Sequence, residues 1–203
     1  MKLSHLCLSL LLAAPAVLAD SAINVPAPVM EPSNWRVTFN ADFMAGGEEL
    51  ASIEFDDGSS QNVNAGGGLV LGMGLQYRAT ENIDTEMRIS YLFDTANGET
   101  EYGDEIKLGF DAFPLDMMAY YHGEKHSIGA GLTYHMNPAF DFNGDVYEFD
   151  NAAGMLIEYR YFWDSRTGIS VKYQNIEYTL SGTDVTFDGT GFGIGLTFGL
   201  DMY

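Results

Sequence analysis

Residues able to do chemistry are scarce in this 203-residue chain, and their placement is uneven. Nine Lys and Arg stand against 29 Asp and Glu. Beyond Lys2, five of the basic residues (Arg36, Arg78, Arg88, Arg160 and Lys172) lie in stretches where large apolar residues alternate with polar or small ones, and each falls on the polar parity. Asp42, Asp94, Asp116, Glu158, His122 and His135 fall on that parity too. Alternation at a period of two describes a strand with two unlike faces. The spacing therefore predicts that these charges face one narrow enclosed space and pair across it. Such a network can be purely structural, satisfying buried charge, or it can gate an ion path. The structural reading is the one favoured.

Other candidate constellations are incomplete. His135-Met136-Asn137 places a base near an amide, but Met136 stands where a serine nucleophile would be needed, so no triad is visible. His135 is expected to make a hydrogen bond in the enclosed space instead. Asp141-Phe142-Asn143-Gly144-Asp145 begins like a calcium loop, but its glycine is misplaced and Ala152 stands at the twelfth position, where a glutamate belongs. Asn143-Gly144 reads better as a hairpin turn, as does Asp57-Gly58. Acids at Asp56, Asp57, Asp104, Glu105, Asp141 and Asp145 leave weak divalent-cation binding open. No phosphate loop or metal cluster stands out, and no cofactor is expected.

The elements that must position these residues are strands. Residues 1–19 read as a signal peptide: Lys2 is the basic start, Leu6 to Leu12 the apolar core, and Val17-Leu18-Ala19 the small-residue cleavage site. The one cysteine, Cys7, lies inside it, so the remainder can form neither a disulfide nor a Cys-based metal site. Residues 20–34 form a proline-bearing linker. From 35 onward alternation repeats in eight segments: 35–44, 68–79, 83–95, 105–122, 126–137, 151–164, 167–180, and a last one carrying Phe192, Ile194, Leu196, Phe198 and Leu200 opposite Gly193, Gly195, Thr197 and Gly199. In the fourth segment the oily parity runs through Leu108 and Phe110, then through Leu115 and Met117, so a bulge is expected at Pro114. Connections at 80–82, 123–125 and 164–166 are short, and the intervening ones are long.

This layout predicts an all-β, eight-stranded antiparallel up-and-down transmembrane barrel over 35–203, with oily faces toward lipid. A mean hydropathy of -0.05 suits a chain in which every second residue faces a lumen. Trp35, Tyr77, Tyr121, Trp163 and Tyr203 should form one aromatic girdle, and Phe43, Phe93 and Phe110 the other. Inward glycines at 72, 74, 129, 131, 193 and 195 leave room for long side chains from other strands. An eight-stranded interior is about wide enough to be filled by them, so a plugged barrel is expected. The net charge of -20 disfavours nucleic acid and fits solvated acidic loops.

On these residues the chain resembles the small eight-stranded outer-membrane barrels typified by the transmembrane domain of OmpA, OmpX and OmpW. It departs from their terminal signature: Asp201 and Gly199 occupy the positions counted back in twos from Tyr203, while the oily parity runs through Met202 and Leu200. The resemblance implies a location in the outer membrane of a Gram-negative envelope, with both chain ends periplasmic. It implies contact with outer-membrane lipid and lipopolysaccharide, insertion by the barrel-assembly machinery, and a monomer without a peptidoglycan-binding domain. A structural or surface-interaction role is the first expectation. A small channel for solutes or apolar molecules is the alternative. A lipid-modifying enzyme is the third, because barrel lipid A deacylases use a His with a nearby Ser, which is missing here.

Overall fold

The computed structural model describes residues 33–55, 58–99 and 105–202. The expected signal peptide, most of the linker, Tyr203, and the acids Asp56, Asp57 and Asp104 lie outside them. Numbered in chain order, eight of the strands among the described residues build a barrel: β1 (Trp35–Gly46), β4 (Gly68–Arg78), β5 (Ile83–Glu99), β6 (Glu105–His122), β7 (His126–Phe142), β9 (Ala152–Phe162), β10 (Thr167–Asn175) and β13 (Gly191–Asp201). The others are short: β2 (Glu49–Glu54) with β3 (Ser60–Asn64), β8 (Asp145–Glu148) on the end of β7, and β11 (Glu177–Thr179) with β12 (Thr186–Asp188). All barrel pairings are antiparallel between sequence neighbours, and β13 closes the ring on β1, with Phe39 opposite Phe198 and Asp42 opposite Gly195. Tight turns join the strands at one end, here the turn end. The additional hairpins crown the other, the hairpin end.

The period-two pattern resolves into inside and outside as expected on most strands. Phe39, Phe43, Met73, Met87, Met117, Leu132, Met155, Leu196 and Phe192 project outward and are exposed. A belt of this size is far larger than the apolar patches that water-soluble monomers tolerate. Closure also leaves no sheet edge with unpaired N–H and C=O groups, which is the condition for strands to cross hydrocarbon. Together these make the fold an eight-stranded transmembrane β-barrel. Rings collect at both ends of the belt. Trp35 and Tyr77 meet at 4.7 Å near the turn end, where Tyr121 and Trp163 are also exposed. Tyr91 contacts Phe93 at 5.4 Å and Phe113 at 5.1 Å toward the hairpin end.

The fourth segment differs from its sequence reading. Leu108 and Phe110 are buried inside, 3% and 1% exposed, and the inward parity continues through Ala112, Asp116, Met118 and Tyr120. The β5 register passes Pro114 without a shift, with Ile89 opposite Leu115 and Leu92 opposite Ala112. The bulge lies instead on β7: Phe113 faces Met136 but Asp111 faces Ala139, so β7 carries the extra residue. Asn137 takes it up at φ 49°, and its N–H donates to Asn151 Oδ1 at 2.8 Å. A short polar side chain tolerates that left-handed conformation better than most. Phe110 is therefore absent from the outer girdle.

The interior is layered. Toward the hairpin end it is apolar, not polar as the alternation alone suggests. Met44, Val70, Leu92, Leu108, Phe110, Phe140 and Ile176 pack with Ile53 and Val63 of the β2–β3 hairpin and Tyr178 of β11. Phe110 meets Tyr178 at 5.4 Å edge-on, and Phe149 meets Phe187 at 5.7 Å. Such pairs add about 0.5–1.5 kcal/mol each beyond their buried area. The short hairpins thus extend the core of the barrel beyond the belt.

At the turn end, Asp164 Oδ1 accepts the N–H groups of Arg166 and Thr167 at 2.7 and 2.6 Å. These backbone donors hold its carboxyl below the usual range. Its contribution to stability is therefore present above the ordinary carboxylate pKa and lost only as pH falls through the depressed one. Asp164→Asn should flatten that acid limb of a stability-against-pH curve.

Phe110→Ala should destabilise the folded chain by about 3–5 kcal/mol, as for a buried aromatic. Phe43→Ala on the lipid face should cost much less. Urea unfolding in lipid vesicles, followed by heat-modifiable gel migration, separates the two. Equal losses would contradict the inward placement of Phe110.

Candidate functional site

Inward-facing positions on six strands converge on a charged layer nearer the turn end. Glu86 and Arg88 come from β5, Asp116 and Tyr120 from β6, Thr133 from β7, Glu158 and Arg160 from β9, Ser170 and Lys172 from β10, and Thr38 and Asp42 from β1. Arg88 donates from Nε to Asp116 Oδ2 at 2.9 Å and from Nη2 to Glu158 Oε2 at 3.2 Å. Arg160 donates to Glu158 Oε1 at 2.7 Å, to Glu86 Oε2 at 2.7 Å and to the Tyr120 hydroxyl at 2.6 Å. The Tyr120 hydroxyl in turn donates to Glu158 Oε2 at 2.9 Å. Thr38 donates to Glu86 Oε1 at 2.9 Å and Thr133 to Asp116 Oδ1 at 2.7 Å. Beside this cluster Asp42 accepts from Lys172 Nζ and, at 2.9 Å, from Ser170 Oγ.

Both guanidinium groups are only 1% exposed and Glu158 is 0% exposed. Isolated, such groups would be very costly in a low-dielectric interior; with several partners each, the cost is largely offset. The planar forked guanidinium serves two carboxylates at once, which a lysine could not do as well. The glycines make the space. A Cβ on Gly74 would stand 2.6 Å from Thr38 Oγ1 and 2.9 Å from Glu86 Oε1. On Gly195 it would strike the Asp42 carboxylate, and on Gly129 the Tyr120 ring.

The expected charges therefore divide into groups. Asp42, Arg88, Asp116, Glu158, Arg160 and Lys172 belong to the layer. Arg36, Arg78 and His122 belong to a separate set at the turn-end mouth. There Arg36 pairs with Asp201 at 2.8 Å, and Asp84 has His122 Nδ1 at 3.0 Å and Arg78 Nε at 3.7 Å. Asp94 joins neither; it sits half-buried beside Gly68 on the hairpin side. His135 is fully buried above the layer, with its Nδ1 2.7 Å from the Tyr178 hydroxyl. Asn137, two residues on, is exposed in the bulge, so the two do not converge. Glu86 and Asp84 were missed by the sequence reading, although each shares the parity of Arg88. The 141–145 segment is the β7–β8 hairpin turn, with Asn143 at φ 54° and Gly144 at φ 94°. Among the described residues no three His, Cys, Asp or Glu side chains are grouped to hold a metal.

The class follows from closure and the apolar belt: this is the fold of the small eight-stranded outer-membrane β-barrels. Among solved structures, the chain is similar to the outer membrane protein OprG from Pseudomonas aeruginosa at 13% identity, over 84% of this chain and 98% of that one, with a TM-score of 0.51. It is also similar to Neisserial surface protein A at 10% identity, over 83% and 99%, with a TM-score of 0.48. Ail, the attachment invasion locus protein of Yersinia pestis, solved with a heparin analogue, matches at 11% identity over 82% and 97%, with a TM-score of 0.48. No family model and no curated protein matches the chain.

Arg160→Met leaves Glu86 and Glu158 buried beside one fewer cation and should cost about 3–5 kcal/mol. Thr133→Val, which removes one neutral donor to Asp116, should cost about 1 kcal/mol. Unfolding in urea, monitored by tryptophan fluorescence in vesicles, measures both. An Arg160→Met chain that keeps its stability and gains conductance would mark the layer as a gate.

Proposed function

We propose that the protein is an outer-membrane barrel with a structural or surface-interaction role, its lumen closed to solutes. The observation that carries this reading is the Arg88–Arg160–Glu158 cluster. It bridges opposite walls with guanidinium groups that are almost wholly buried. The apolar core toward the hairpin end is a second obstruction along the same axis. A solute would have to break ion pairs and then displace packed aromatic rings.

The membrane assignment is supported by the outward apolar belt and its two rings of aromatics. Tight turns belong on the periplasmic side of such barrels and long connections outside, so the hairpin end would face the exterior. Lipid and lipopolysaccharide would surround a monomeric belt, placed there by the assembly machinery. Acids dominate the hairpin end, which keeps the exposed surface solvated and open to basic partners.

Reconstituted in planar bilayers, the wild-type chain should show no steady single-channel conductance. A stable conducting level at moderate voltage would instead support the channel reading.

A further inference from the structure

The β2–β3 hairpin leans over the projecting ends of β5 and β6 and leaves a groove of about 1080 Å³. Its base is apolar: Ile53 and Leu108 are buried, Phe55 and Ile106 are half-buried, and Phe142 stands 45% exposed on its wall. Gly98 lets the hairpin sit this close, since a Cβ there would come within 2.7 Å of Ile53 Cγ2. Glu54, Glu99 and Glu105 line it as exposed carboxylates. Lys107 lies 3.0 Å from Glu105 and answers that one. Glu54 and Glu99 have no side-chain partner among the described residues, and no Lys or Arg lies close to either in the sequence. There is no Lys or Arg between Arg36 and Arg78, and only Lys107 between Arg88 and Lys125.

We propose that this groove docks a cationic amphipathic peptide segment, apolar side chains on the base and basic ones at Glu54 and Glu99. The proposal rests on the surface-interaction reading and names the chemistry of the partner. An apolar floor beside unanswered carboxylates is complementary to a chain that carries both features. Other occupants fit less well. A second copy would bring its own acidic end against this one, and an anionic saccharide or lipid headgroup has the wrong sign. A bare divalent ion lacks a converging ligand set among the described residues. The acidic surroundings would steer a basic segment inward, in a salt-dependent way.

The test uses the full chain in zwitterionic lipid nanodiscs and a fluorescein-labelled twelve-residue peptide of alternating Lys and Leu. Empty discs, and the matched Glu–Leu peptide, set the background. Binding above background should appear for the Lys–Leu peptide alone. Two exposed ion pairs are together worth about 0.4–2 kcal/mol, so E54Q/E99Q should weaken binding roughly two- to thirtyfold. Phe142→Ser should weaken it independently. Glu148→Gln with Asp184→Gln removes equal charge elsewhere at the hairpin end and should change affinity less than twofold. All variants should keep heat-modifiable migration. No binding above empty discs, or equal weakening by the control pair, would overturn the groove. Peptide bound by discs but not by intact cells displaying the chain would count against the outward orientation, leaving the groove itself standing.

Discussion

Closure governs this molecule. In hydrocarbon every backbone N–H and C=O must find a partner within the protein, and the chain meets that demand by pairing β13 with β1. Once eight strands close, the interior is fixed at roughly one layer of side chains across. Every inward residue then has to be compatible with those on the opposite walls. The inward glycines of β4, β7 and β13 sit beside bulkier side chains of the neighbouring strands, Gly74 beside Glu86, Gly129 beside Tyr120 and Gly195 beside Asp42. Burying charges in so narrow a space also obliges them to pair with one another.

The pairing imposes register as well as neutralising charge. Arg88 and Arg160 reach across from different strands to shared carboxylates, so a one-residue slip of either strand would turn its guanidinium toward lipid. An apolar filling would tolerate sliding better than this layer does. Above it the interior changes character, and the aromatic cluster around Phe110 and Tyr178 resembles the core of a soluble domain. The barrel wall passes between two solvents inside as it does outside: a buried polar layer, then a packed hydrocarbon core shared with the capping hairpins.

Much of this was legible in the sequence, for a physical reason. Period-two alternation reports which residues share a face, and it located the eight barrel strands, the inward basic residues and the pairing of the last strand with the first. It does not report what a face meets. Leu108 and Phe110 were therefore assigned to lipid, because an apolar row suits a membrane and a dry core equally. The apparent change of parity at Pro114 followed from that assignment, while the true irregularity lay across the ladder at Asn137. Glu86 carried a sufficient signal, standing two residues before Arg88. The β11–β12 cap carried little, since its strands have three residues each and owe their place to tertiary packing.

The Asn137 bulge has a consequence for how this surface can change over evolutionary time. Below it, odd-numbered residues of β7 point inward; above it, even-numbered ones do, as Phe140 shows. Deleting the extra residue itself would restore a regular ladder and leave Phe140 inward, whereas a single-residue deletion just beyond it would turn the rest of the segment by half a rotation, exchanging Phe140 with Asp141. Insertions or deletions beyond this point should be accepted in pairs, which preserve facing, and resisted singly. The β7–β8 hairpin can lengthen or shorten in steps of two while the wall beneath it stays as it is.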